Sequence, residues 1–265
     1  MLRVRQIALV ANDDIAAAQE LIDVLGLAIG YHDPHIARIQ LHNTLLPVGA
    51  QLLEIVAPLT PGITADRYLE RRKGPGGYMV ITQTDDHPPR RARVDELGIR
   101  IVGQFHDDDF INMQLHPRDT GGSFLEIDQQ IGGDDPMGPW SPAGPNWQDA
   151  IRTDLVSAIT AAEMQCDDPD AVASRWSEIV EIDRADVDGV PTIPLDNATL
   201  RFVPITDGRG EGLGGIDLAC SDPDTVRANA TKAGVPVADD HVYLVGMRCY
   251  LNGVAPDTAG NAAPR

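Results

Sequence analysis

Four times along the chain an apolar strand runs into an Asp-containing turn and then into a helix: IALVANDDIAAAQELIDVLGL, MVITQTDDHPPRRARVDELGI, AEMQCDDPDAVASRWSEIVEI and IDLACSDPDTVRANATKAGV. A recurring supersecondary unit constrains a fold more than any composition does, because each copy buries its apolar face only against a neighbour. In the first copy Ile7, Leu9 and Val10 read as strand. Asp13 or Asp14 can cap a helix whose apolar positions recur at three- and four-residue spacing. The third and fourth copies share Cys-x-Asp-Pro-Asp, which places proline just inside the helix, where its missing N–H is not needed.

Short strands follow each helix: HIARIQL and QLLEIVAP in the first copy, then RIVGQF, INMQLHP and SFLEID in the second. VPTIPL and ATLRFVPI follow in the third, HVYLV and MRCYLN in the fourth. A doubly wound parallel sheet would place a helix between most strands, so the reading is α+β, with one helix per antiparallel meander. ERRKGPGGY reads as a short breaker between modules one and two. The Gly- and Pro-rich stretch Gly132 to Gln148 reads as a linker between two halves, with Trp140 and Trp147 as packing anchors. The expected division is residues 1–131, a linker over 132–152, a second domain over 153–254 and a disordered tail over 255–265. With 265 residues and 43% hydrophobic content, two such domains can bury cores without staples.

A net charge of −19, with basic residues only in short clusters such as Arg90, Arg91 and Arg93, opposes nucleic acid and anionic membranes as partners. Cys166, Cys220 and Cys249 are odd in number and form no C-x-x-C pair, which predicts buried thiols. No apolar run approaches the ~20 residues of a membrane span and no signal-peptide pattern opens the chain, so the expected location is the cytoplasm. G-x-S-x-G and H-E-x-x-H are missing from the sequence, and neither G-x-x-x-x-G-K-[ST] nor a strand-linked G-x-G-x-x-G accompanies Gly121 and Gly122.

The most pointed stretch is LHPRDTGGSFLEID, Leu115 to Asp128. Gly121 and Gly122 suit a tight turn into a closing strand that carries one acid, Glu126, among apolar neighbours. Alternation along QLLEIV puts Leu52, Glu54 and Val56 on one face. His116 precedes a Pro turn and either orients that turn or acts in catalysis, and His42 enters the next candidate list because its strand can line a concavity. His32 and His35 sit in a Pro-broken loop and read as solvated.

These phrases resemble the vicinal oxygen chelate superfamily of glyoxalase I, ring-cleaving dioxygenases and bleomycin resistance proteins. HPRDTGGSFLEID is especially similar to the glyoxalase-like branch that includes methylmalonyl-CoA epimerase. The resemblance spans residues 4 to 130, and by repeat alone 155 to 252. It implies four βαβββ-type modules paired into two half-barrels, with a divalent metal on the concave face of the first. Matched by strand, the ligand positions fall on Gln6, Glu54, Met79 and Glu126. Gln6, Glu54 and Glu126 are acceptable ligands, whereas the thioether of Met79 is a soft donor. Met79 and neighbouring Tyr78 therefore join the substrate-binding candidates, with alternation pointing Tyr78 to the opposite face. In the second half the matched positions are Ala161, Arg201, Gly215 and Tyr250, which lack ligands. There Arg201 either binds a substrate anion or closes an internal salt bridge.

What the resemblance implies is an isomerase, epimerase or lyase working through an enolate on a small carbonyl or acyl-thioester substrate. Glu54 or Glu126 would be the base, with His116 a further catalytic candidate. The competing class is a metal-free protein of the same fold that sequesters a small molecule. Expected partners are a small-molecule substrate and, as an open alternative, a second copy in a homodimer.

Overall fold

The computed structural model describes residues 1–253, and the tail over 255–265 lies outside the described residues. The first half forms a seven-stranded sheet from β1 (Leu2–Val10), β2 (Leu41–Val48), β3 (Gln51–Pro58), β4 (Gly76–Thr84), β5 (Ile101–His106), β6 (Phe110–Leu115) and β7 (Phe124–Gln130), ordered β2-β3-β1-β4-β7-β6-β5. The second half repeats the plan with β8 (Val156–Cys166), β9 (Ala185–Val187), β10 (Val190–Pro194), β11 (Thr199–Pro204), β12 (Gly212–Cys220), β13 (His241–Leu244) and β14 (Met247–Gly253), ordered β13-β14-β12-β8-β11-β10-β9. Each sheet is two modules joined antiparallel, β1 to β4 and β8 to β12. Inside each module the first and last strands run parallel, as in β1 with β3 and β4 with β7.

The helices that open the modules are α1 (Asp14–Leu25), α3 (His87–Glu96), α5 (Pro169–Val180) and α6 (Pro223–Lys232), with α2 (Thr64–Arg72) and the single turn α4 (Pro117–Thr120) between them. Asp13, Asp168 and Asp222 cap their helices through N–H bonds from Ala16, Ala171 and Thr225, each at 3.0 Å. Each such cap stabilises by about 1 kcal/mol. Asp86 makes no such bond.

All nine residues of β1 are buried, because the strand is covered on both faces. Ile7 and Leu9 point to the helices and join a core that continues into the second sheet through Ala162, Leu213 and Ile216. Ala8 and Val10 point the other way, into a second apolar cluster with Leu52, Val56, Met79 and Phe124. That second face is concave and carries the site.

Three local readings are corrected. HIARIQL is a 3-10 turn over Ile36–Ile39, and the strand starts only at Leu41. The stretch before KGPGGY is helix α2, whose buried Ala65, Tyr68, Leu69 and Arg72 recur at helical spacing before Lys73 ends it in the left-handed region. Tyr78 shares the concave side with Met79 instead of facing away. The register passes from Ala8↔Met79 to Leu9↔Gly77, leaving Tyr78 as the extra residue of a β-bulge, and a bulge turns two successive side chains to one face.

Candidate active site

The concave face of the first sheet opens into a cleft of ≈ 1320 Å³, large enough for a sizeable organic molecule. Glu54 reaches it from β3, Gln6 and Ala8 from β1, Tyr78, Met79 and Ile81 from β4, Glu126 and Asp128 from β7, and Asn112 and Gln114 from β6. Parallel pairing of β1 with β3 aligns Ala8 with Glu54, and pairing of β4 with β7 aligns Ile81 with Glu126. The period of two along each strand then delivers both acids to one face.

Glu54 is held by two amides. Gln6 Nε2 donates to Oε2 and Asn43 Nδ2 donates to Oε1, each at 2.7 Å. The orientation of the Gln6 amide is set by its other end, where Oε1 accepts the indole N–H of Trp140 at 3.1 Å. A flipped amide would set oxygen against carboxylate and N–H against N–H. Asn43 is fixed likewise, since its oxygen accepts the backbone N–H of Asp33. Burial drives the Glu54 carboxyl up to about 7. The two amides pull it back, while the charges of Glu126 and Asp33 push it further up.

Across the cleft Glu126 accepts from Gln114 Nε2 at 2.8 Å and Asn112 Nδ2 at 3.3 Å. Burial raises its pKa, and these amides and Asp128 lower it. Asp128 is fully buried beside it, with its side chain directed to Glu126 and to the backbone of Met113. Burial and then the Glu126 charge raise the Asp128 pKa well above the carboxylate range. Both carboxyls are pushed up, Asp128 the more strongly, because two adjacent buried carboxylates do not both ionise readily.

The remaining candidates fall unevenly. Met79 lies in the cleft with its sulfur 3.5 Å from Gln114 Nε2. Tyr78 packs its ring on Tyr68 and Phe124, at centroid distances of 4.9 and 5.0 Å, and burial raises its pKa so that it stays protonated. His116 stands at the cleft edge, where its Nδ1 accepts the backbone N–H of Arg118 as the cap of α4. His42 is a correction: its side chain is exposed on the other face of β2, and neighbouring Asn43 takes the inward position. Of the two readings for Arg201 the internal salt bridge holds and the substrate-anion role falls: it is closed onto Glu163 at 2.8 Å and onto Asp217 at 2.6 Å in the second sheet, away from this cleft.

The donor set does not fit a divalent cation on Gln6, Glu54 and Glu126 as arranged. The only oxygen of the Gln6 amide is committed to Trp140, and its nitrogen faces Glu54. Met79 supplies a thioether at the remaining position, and among the described residues no three His, Cys, Asp or Glu side chains converge on one point.

Asn43, Asn112, Gln114, Asp128 and Trp140 were not singled out as site residues by the sequence. Asp128 was readable as the next residue but one after Glu126 on the same strand face. Trp140 had no local signal, because its contact with Gln6 spans the whole first half.

No protein-family model matches the chain, and no curated protein does. Among solved structures, a hypothetical protein from Staphylococcus aureus aligns with a TM-score of 0.66 over 96% of this chain and 100% of its own, at 12% identity. The methylmalonyl-CoA epimerase from Mycobacterium tuberculosis aligns over 48% of this chain and 87% of its own, at 21% identity and a TM-score of 0.43. A variant of the Streptomyces coelicolor methylmalonyl-CoA epimerase, in complex with 2-nitronate-propionyl-CoA, aligns over 48% and 96% at 16% identity and a TM-score of 0.44. Likeness at these identities is likeness of fold. Four strand-helix-meander modules are paired twice into mixed sheets, and the Staphylococcus aureus protein shares this fold over nearly the whole chain.

Proposed function

We propose that the first half is an acid–base enzyme site of the isomerase, epimerase or lyase kind, acting through an enolate on a carbonyl or acyl-thioester substrate. The observation that carries this reading is Glu54: a carboxyl turned into a large cleft, fixed by two amides and poised near 7. A general base works best with a pKa near the operating pH.

Glu54 as carboxylate takes a proton alpha to the carbonyl, and the electrons of that C–H bond move onto the carbonyl oxygen. Tyr78, protonated and lining the same cleft, donates a hydrogen bond to that oxygen. The Glu126–Asp128 pair holds one proton on the opposite strand and can return it to carbon. Return to the same carbon from the other side inverts it, and return to a neighbouring atom isomerises the substrate. Two carboxyl groups with separated pKa values are a recurring solution to acid–base chemistry at neutral pH.

The test is proton exchange in deuterium oxide, followed by NMR over a panel of alpha-acidic carbonyl compounds and acyl thioesters. Wild-type protein should exchange the alpha proton of at least one of them, and Glu54→Gln should slow this by about 10²–10⁴-fold. Stoichiometric binding of such a compound without exchange would instead mark a sequestering protein.

A further inference from the structure

We infer that one end of the cleft is an anion-receiving subsite built by both halves of the chain, so that the substrate carries a phosphate or carboxylate at the end remote from its reactive carbonyl. The position of that carbonyl rests on the acid–base reading above. The subsite itself does not.

Three segments meet at this end. Arg71 stands on the last turn of α2. Arg209 arrives from the second half, where the carbonyls of residues 209, 210 and 211 all accept from Arg72 NH1. The turn after Arg118 is brought against the same loop by Gly122, at a φ of 91°, where any side chain would overlap Glu211. All three arginines line the cleft, in a chain whose net charge is −19.

Asp207 and Glu211 stand near this end, Asp207 accepting the backbone N–H of Arg209, but none of the three guanidinium groups forms a salt bridge among the described residues. Arg209 donates to the carbonyls of Arg72, Gly74, Pro75 and Gly246. Those bonds fix the guanidinium without neutralising it. Arg71 lies over the Tyr68 ring at 4.9 Å. Among the described residues the side chains of Arg71 and Arg118 have no ion-pair or hydrogen-bond partner, whereas Arg72 and Arg100 nearby face Asp207 and Asp119. Arg209 is thus fixed and keeps its positive charge, while Arg71 and Arg118 are exposed with free N–H groups. Guanidinium groups gathered at a cleft wall suit the planar oxygens of phosphate or carboxylate. The wall beside them is aromatic, from Tyr68, Tyr78 and Phe124, which fits an apolar stretch between the anionic group and the carbonyl.

The experiment is calorimetric titration of the full chain with inorganic pyrophosphate and with succinate, at low and at high salt. One anion per chain should bind, more weakly at high salt, and Arg71→Gln and Arg118→Gln should each weaken it about tenfold with unchanged melting temperature. Preference for pyrophosphate would identify a phosphate-bearing substrate, and preference for succinate a carboxylate. Failure of both anions to bind, or equal binding by the variants and the wild type, would overturn the subsite. Glu54→Gln serves as the control that separates the two readings: it should bind the anion like the wild type. If it retains proton exchange, the acid–base reading falls while the subsite stands.

Discussion

Gln6 Nε2 sits 2.7 Å from Glu54 Oε2, and the same amide accepts from Trp140 at its other end. A charge-assisted bond to the ionised form stabilises it, so the amide holds the Glu54 pKa below the level burial alone would set. Gln6→Leu should move the acid limb of the pH–rate profile upward by about one unit. Trp140→Phe, which frees the amide, should move it in the same direction by less.

For the wild type, kcat/KM should rise with pH through about 7 as Glu54 loses its proton. Stability should run the other way. The folded state keeps this proton while an unfolded glutamate releases it near its ordinary 4.5, so the native state binds more protons between 4.5 and about 7 and stability falls across that window. The loss is on the order of 3 kcal/mol. Glu54→Gln should flatten that part of a denaturation-against-pH curve.

Asp128→Asn keeps a donor beside Glu126 and removes a buried acid. The variant should be as stable as the wild type or more so at neutral pH. Its proton return should be impaired, seen as about tenfold or greater loss of turnover with alpha-proton exchange retained.

Elemental mass spectrometry of protein purified without chelator should find less than one divalent ion per chain, and dialysis against a chelator should leave proton exchange intact. An ion at one per chain that is lost in Gln6→Leu would mean that the Gln6 amide turns away from Trp140 to bind metal.

Arg201→Leu strips Glu163 and Asp217 of a shared partner. Arg248 still faces Glu163. Destabilisation of about 3 kcal/mol by chemical denaturation is expected, with the first-half site unaffected, since Arg201 does not line that cleft.

The modular plan was legible because hydrophobic period and Asp turns are local signals. Glu126 was legible because the LHPRDTGGSFLEID phrase resembles a closing strand that carries an acid, and the face of Glu54 was legible because a strand has a period of two. That rule failed at Tyr78, where one inserted residue changes the face, and at His42, whose strand was known but whose phase was not. Arg201 matches the strand position of Glu54, yet its role depended on Glu163 and Asp217 from strands whose pairing the sequence does not spell out. The amides around the acids were unreadable for a plainer reason: asparagine and glutamine in strands carry no pattern, and only the fold says which one faces a carboxylate.

Trp140 belongs to the segment that follows the first sheet, and residues 209–211 belong to the loop between β11 and β12 of the second half. During synthesis the first half leaves the ribosome before either exists, so Gln6 is still without its anchor and Arg209 is missing from the arginine lip. The pocket is thus assembled in order, with Glu54 given its final surroundings when the connecting segment folds back and the mouth finished last.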